Sequence, residues 1–374
     1  MNHCCSICKN KKYKIILNQR RTNIFTNAED SKKVNAKIKC RLYQCLKCNF
    51  VFQIPSRSLK LALNKIYAGN NAQISQPLGE GNWGKERFNF LKKKLIEINK
   101  FKNKHVLELA CGNGYLLKYL EKKGFKHLCG IDPSLNIKKT KSKIKYIKKF
   151  ADSSLRLNNK FDLIFSIGLY EHAYSVNDLT KFSIKNLSTK GRILVVLPNF
   201  KSSLKSGNPD LFAHEHINYF TVETMIKHFK KFNLKVVKNF SDKHSIVLYL
   251  ERNKMTLKRD ISKAIYINYN YNYKLSKTLQ KIEDKIYSNK VIVHGACNSL
   301  NNITNWINLK LNFKLTDNDH QKIGKIFFNK TVNHIKSINL NEYNLIIIVP
   351  TFFSKDIIKK FILMGYKGKF ITVR

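Results

Sequence analysis

Residues 106–117, Val-Leu-Glu-Leu-Ala-Cys-Gly-Asn-Gly-Tyr-Leu-Leu, constrain this chain more than any other stretch. An apolar run of strand composition enters a glycine turn, and a helical apolar pattern leaves it. Glycines at such a turn let the backbone take left-handed dihedrals and approach a ligand closely. A dinucleotide site of the G-x-G-x-x-G type needs a third glycine where this chain has Leu117, so that reading fails. Strand-like runs at His105–Leu109, 128–131, 161–166, 192–197, 234–238 and 245–251 alternate with helical patterns such as 116–123 and 222–232. The alternation predicts an α/β fold with a mostly parallel sheet covered on both faces.

Pattern divides the chain into three units. Residues 1–70 hold six of the nine cysteines and show little helical periodicity, while residues 71–253 carry the alternation described above. In the third unit, 254–374, a Lys/Tyr/Asn-rich stretch comes first. Its apolar positions Ile261, Ile265, Leu275, Leu279, Ile282 and Ile286 suit a helix. Alternation then restarts, with strands at Val291–His294, 313–316, 345–349 and 370–373 and helices near 300–309 and 355–363. This predicts a second, smaller Rossmann-like domain.

Cys5-x-x-Cys8 and Cys45-x-x-Cys48 are two knuckles separated by 36 residues. Each turn presents two thiolates on one side, and two such turns complete a tetrahedral zinc site. Four thiolates close the coordination shell, so this zinc is expected to be structural. In so small and polar a segment it would supply folding energy. Free buried thiols and a redox Cys-x-x-Cys pair are the alternatives. Cys4 and Cys40 are then spare, although a one-residue slip would let Cys4 replace Cys5.

The 374 residues carry a formal net charge of +46, with sixty lysines but only ten arginines. Readers of nucleic acid favour arginine for bidentate recognition. Here lysine, asparagine and isoleucine, which share A/T-rich codons, are abundant from end to end. The charge therefore reads either as codon composition with solvated lysines or as selected binding of an anion, whether a small substrate or RNA. A hydrophobic content of 43% suffices for cores and rules out wholesale disorder. No apolar run reaches the ~18–20 residues of a membrane span. The first residues, Met1-Asn2-His3-Cys4-Cys5, contain no apolar signal core. A cytoplasmic protein with reduced thiols and no membrane partner is expected.

Acidic residues follow the glycine turn in a fixed order. Glu108 precedes it, Asp132 ends the next strand in Gly130-Ile131-Asp132-Pro133-Ser134, and Asp152 follows in Phe150-Ala151-Asp152. The fourth strand then runs into Leu169-Tyr170-Glu171-His172, and Lys190-Gly191 leads the fifth strand to Pro198-Asn199. This succession resembles the class I S-adenosylmethionine-dependent methyltransferases. The resemblance implies a Rossmann-like methyltransferase sheet and a cofactor site of Glu108, Ala110, Gly112, Gly114, Asp132 and Asp152. Ala110 stands where the family has its first glycine. Asp132 would take the ribose hydroxyls and Asp152 would face the adenine amino group. Taken singly, each could be an ordinary turn glycine or strand-end acid, and Glu171-His172 could equally cap a loop.

The fourth strand lacks the N/D-P-P-Y/F motif of base amino methylation, and no Pro-Cys nucleophile stands there. Both absences argue against a nucleic-acid acceptor. After the fifth strand comes Phe212-Ala213-His214-Glu215-His216-Ile217-Asn218-Tyr219-Phe220-Thr221. The spacing is too short for the paired helical histidines of an H-E-x-x-H zinc protease. It does offer a base near neutral pH and a carboxylate to orient it. The stretch resembles the HEH-x-x-Y-F loop of the three-domain sugar C-methyltransferases. Residues 45–53 (C-x-x-C-x-x-x-x-Q), His294-Gly295-Ala296, and Thr316-Asp317-Asn318-Asp319 with Lys322 and Gly324 extend the likeness over the whole chain.

That family implies a small N-terminal zinc module, a methyltransferase domain and a C-terminal Rossmann-like domain. It implies S-adenosylmethionine and a nucleotide-linked ketosugar as substrates. It makes His216 the base. Glu215 is then the carboxylate expected to orient the imidazole, and His214 is a further candidate, although of the three the one most readily structural. Tyr67 matches a substrate-facing tyrosine, and Ala213 replaces a family tyrosine. The alternatives are a small-molecule O- or N-methyltransferase, an RNA-modifying methyltransferase, or a silent assembly protein. For the His-Glu-His residues, the plain alternative is a loop whose side chains bond the backbone.

Overall fold

The computed structural model describes residues 3–24, 37–68, 78–136, 142–242, 244–253, 277, 279–282, 285, 289–304, 313–351 and 353–373. The two cysteine knuckles share one geometry. Lys9 and Asn49, both left-handed at φ 61° and 59°, donate their N–H groups to the carbonyls of Cys5 and Cys45 at 2.9 and 3.0 Å. A hairpin of β1 (Tyr13–Asn23) and β2 (Lys37–Cys45) brings them together, with Tyr13 opposite Cys45. Strand β3 (Val51–Phe52) adds to β2, and helix α1 (Arg57–Ala68) follows.

Helix α2 (Gly81–Lys94) leads into the large sheet through β4 (His105–Leu109), α3 (Tyr115–Lys122), β5 (His127–Ile131), β6 (Lys145–Ile147) and β7 (Phe161–Ile167). It continues through α4 (Val176–Asn186), β8 (Leu187–Pro198), α5 (Phe200–Ser206), β9 (Asn218–Tyr219), α6 (Val222–Lys230), β10 (Leu234–Ser241) and β11 (Ser245–Arg252). The sheet order is β10-β11-β8-β7-β4-β5-β6. Strands β4 to β8 run parallel, and β11 is antiparallel to both its neighbours. This is the α/β sheet that the strand–helix alternation predicts. The chain starts at β4, runs outward to β6, and returns to the other side of β4 at β7. The carboxyl ends of β4 and β7 therefore flank the switch point where ligands of such sheets bind. Leu163, Ile164 and Phe165 are wholly buried, as a doubly covered strand requires.

Strand β9 does not join that sheet. It pairs with β3 and closes the N-terminal sheet β1-β2-β3-β9. The residues straight after His216 thus belong to the sheet that begins with the cysteine knuckles.

The C-terminal unit contains β12 (Val291–His294), α7 (Asn298–Ile303), β13 (Phe313–Asp317), the hairpin β14 (Ile326–Phe327) and β15 (Lys330–Thr331), β16 (Asn333–His334), β17 (Leu345–Ile348), α8 (Ser354–Leu363) and β18 (Lys369–Thr372). Five strands form a parallel sheet in the order β16-β13-β12-β17-β18. Leu42, Val51, Phe212, Tyr219, Val293 and Leu300 belong to a single apolar core, so all three units pack on the segment around His216. Of the helical stretch expected at 254–288, Leu279 and Ile282 are buried in that core. Ile261, Ile265, Leu275 and Ile286 lie outside the described residues. Among the described residues, no helix is long and apolar enough to cross a membrane.

Candidate active site

At the end of β4 the chain makes a turn with three left-handed residues, Ala110 (φ 57°), Gly112 (φ 55°) and Gly114 (φ 70°). Glycine takes such angles freely, whereas alanine is strained there by roughly 1–2 kcal/mol. A side chain grown on Gly112 would meet nothing within 4 Å among the described residues; one on Gly114 would strike the Tyr146 ring. Gly112 therefore opens onto space beside the turn. Asp132 closes the turn from β5. One carboxylate oxygen accepts the Gly112 N–H at 2.9 Å, and the other accepts the N–H and hydroxyl of Ser134 at 2.8 and 2.6 Å. Glu108 is 2% exposed, and its Oε2 has no hydrogen-bond partner among the described residues. Burial and the nearby Asp132 charge push its pKa well up. A buried orphan acceptor and an open glycine cradle fit a ligand carrying a donor or cation, as S-adenosylmethionine does. Asp152 lies on an exposed turn and accepts from the Ser154 N–H and hydroxyl at 2.9 and 2.5 Å.

Two loops meet beyond the carboxyl ends of β7 and β8. The Glu171 carbonyl accepts the N–H groups of Ile217 and Asn218 at 2.7 and 2.9 Å. The Asn218 amide in turn donates to the carbonyls of Tyr170 and Ala173 at 3.0 and 2.7 Å. Gln53, just past β3, holds the same loop from the other side. Its N–H donates to the Ile217 carbonyl at 2.8 Å, and its side chain donates to the carbonyls of Ala213 (3.0 Å) and His216. The glutamine after the second knuckle thus clamps the His-Glu-His loop.

Between these loops lies a polar cluster. The Tyr67 hydroxyl stands 3.2 Å from His172 Nδ1 and 3.3 Å from Glu215 Oε2. The rings of His172 and His216 meet edge-on at 4.9 Å. Glu171, His172 and His216 each place one ligand-type atom within 4.8 Å of the others. The Arg87 charge acts on both Glu171 and Glu215, which opposes a metal cation there.

Burial governs the electrostatics. It raises Glu171 to about 8 and Glu215 to about 7, with Arg87 pulling both back. It lowers His216 to about 4, aided by Arg87, and puts His172 well below its ordinary value. Both imidazoles are therefore neutral at neutral pH and able to accept a proton. Were His216 the base, the acid limb of kcat/KM would fall near pH 4 rather than at the ~6.5 of a free imidazole. Arg87→Met removes a cation that disfavours protonated histidine, so the limb should move toward higher pH. A pH–rate profile with the limb unmoved would show that Arg87 does not act on the base.

Adjacent loop residues point to different sides. Glu215 reaches Tyr67 and His172, at 3.3 and 3.7 Å, rather than the His216 that the sequence pairs it with. His214 faces away from the cluster and lines a crevice with Cys40, Phe212, Asn298 and Asn302. Sequence reasoning missed Arg87. Its one signal was rarity, an arginine in a chain where lysine outnumbers it sixfold.

The four knuckle sulfurs lie within 4.8 Å of one another, with Cys5–Cys48 and Cys8–Cys45 at 3.5 Å. Sulfurs about 2.3 Å from a tetrahedral zinc stand about 3.8 Å apart, so the set can hold a metal. The Asn10 amide reaches Cys45 Sγ at 3.6 Å, a donor suited to a thiolate.

A family profile described as a methyltransferase domain matches residues 83–239. This part of the chain matches a methyltransferase domain, and the protein is an S-adenosylmethionine-dependent methyltransferase. The matched range runs from α2 through β10 and includes the glycine turn and the His-Glu-His loop. Solved structures similar to the methyltransferase include a putative S-adenosylmethionine-dependent methyltransferase from Listeria monocytogenes (16% identity, TM-score 0.37, covering 44% of this chain and 100% of that one). Another is the 1,6-didemethyltoxoflavin-N1-methyltransferase of Burkholderia thailandensis (10%, 0.41, 62% and 100%). A third is an S-adenosylmethionine-dependent methyltransferase from Clostridium acetobutylicum (16%, 0.36, 53% and 100%). No curated protein sequence matches the chain.

Proposed function

We propose that this methyltransferase methylates a carbon beside a ketone, on a nucleotide-linked ketosugar. The observation that supports it is the polar cluster itself: a neutral His216 beside His172, Tyr67 and Glu215, on loops at the carboxyl edge of the sheet. When bound, S-adenosylmethionine supplies an electrophilic methyl group. Glu108, Gly112 and Asp132 would hold it, with Asp152 near the adenine. His216 takes the proton alpha to the ketone onto an imidazole nitrogen and leaves an enolate carbon as the acceptor. Tyr67 and His172 are the neighbouring groups that could donate to the ketone oxygen's developing charge. The lysine-rich surface favours a diphosphate electrostatically. The cluster of Cys5, Cys8, Cys45 and Cys48 is read as a structural zinc site whose sheet carries the loop bearing His216.

The substrate reading is tested by mass spectrometry. Purified protein, S-adenosylmethionine and a panel of nucleoside-diphosphate ketosugars should give a gain of one methyl on carbon. Methylation only at oxygen or nitrogen, or of RNA alone, contradicts it. The cofactor reading has its own check. Asp132→Ala removes a charged hydrogen-bond acceptor worth about 1.5–3 kcal/mol, so cofactor affinity should fall roughly tenfold or more. Unchanged affinity by calorimetry would remove Asp132 from the site.

A further inference from the structure

Helix α2 is capped from outside its own unit. Its N-cap residue, Glu80, makes no side-chain cap bond. The first-turn N–H of Asn82 donates instead to Asp319 Oδ2 at 2.9 Å, 237 residues further along the chain. Asp319 is 3% exposed and sits in the turn after β13, where its other oxygen accepts the Gln321 N–H at 3.0 Å. Lys322 braces that turn through Asp317 at 3.2 Å and the Ala296 carbonyl at 3.0 Å. A second contact joins the same ends: the Trp83 and Phe353 rings meet edge-on at 6.0 Å.

Glu80, relieved of capping, does something else. Its Oε1 accepts the Asn113 amide at 2.6 Å. Asn113 lies between Gly112 and Gly114, and its own oxygen accepts the N–H of Tyr115, the first residue of α3, at 3.0 Å. The Phe88 ring of α2 packs on Tyr115 at 5.0 Å.

We propose that Asp319 is a positioning residue for the cofactor: the C-terminal unit sets the glycine turn through α2. The physical basis is that one helix end carries both contacts. Glu80 has no side-chain cap bond of its own and its residue type is a poor N-cap, so the first turn of α2 takes its acceptor from Asp319. Without Asp319 that turn has an unsatisfied N–H and frays. Glu80, the residue at which the helix begins, is then no longer fixed, and the Asn113 amide in the glycine turn loses its tether.

The test is cofactor affinity of the full chain, measured by calorimetry with S-adenosylmethionine or S-adenosylhomocysteine and no acceptor. Its failure is therefore distinguishable from failure of the sugar reading. Asp319→Ala should weaken binding about fivefold. Asp319→Asn keeps an acceptor oxygen and should restore it to within about twofold of wild type. Glu80→Ala should weaken binding as Asp319→Ala does, and the double variant should be little worse than either, because both act on one hydrogen bond. Unchanged affinity in folded Asp319→Ala, or losses that add in full, overturns the proposal. If Asp319→Ala yields no folded protein, Glu80→Ala decides alone: unchanged affinity there removes the relay.

Discussion

Replacement of His216 by alanine is expected to lower turnover by about 10²–10⁴-fold, the usual contribution of a general base. Cofactor affinity should change little, because His216 is not part of the glycine turn. A carbon beside a ketone is too weak an acid to lose its proton unaided at neutral pH, so C-methylation needs such a base. Wild-type protein should also wash solvent deuterium into that position without a methyl donor, and His216→Ala should not. The competing base is close by. His172 is likewise neutral, its ring 4.9 Å from that of His216, with Glu171 Oε1 3.9 Å from its Nε2. If His216→Ala keeps both exchange and turnover while His172 or Glu171 substitutions abolish them, the base lies on the loop after β7.

The second large effect is expected at the opposite end of the chain. Freshly purified protein should contain one zinc per chain, and Cys45→Ser with Cys48→Ser should lose it. Structural zinc is worth about 10–16 kcal/mol in isolated finger peptides, so the N-terminal sheet should unravel without it. The consequence should reach the active site. Strand β3 begins three residues after Cys48, pairs with β9, and is followed by Gln53, which grips the loop of His216. Turnover should therefore collapse with the metal, although no knuckle cysteine lies in the polar cluster. Elemental analysis and an activity assay on the same preparation check both halves. Full zinc in the double variant sinks the metal assignment; full activity in a zinc-free protein sinks the coupling.

Legibility followed the range of the interactions involved. The strand–glycine–helix turn at 105–122 could be read directly, because alternating strand and helix periods and left-handed glycines are local properties. The parallel sheet and both cysteine knuckles were legible for the same reason. The hairpin β1–β2 was not, since its polar and basic residues give little alternation. Its register is fixed by the two knuckles converging, with Tyr13 set opposite Cys45. The order of strands across the switch point was likewise invisible residue by residue.

By itself, then, the sequence determined the residue types that chemistry needs: the glycine turn, the strand-end acids, the four thiols and the His-Glu-His run. Tertiary structure alone decided which of them meet. It turned His214 away, joined Glu215 to Tyr67 and His172, and brought Arg87 from a helix roughly 80 residues upstream of Glu171 to set the charge of the site. It also recruited β9 to a sheet built mostly from the first 52 residues. The physical reason is that direction and pairing in a loop depend on partners remote in the chain. Burial, which moves Glu171 to about 8 and His216 to about 4, exists only once those partners have closed around them.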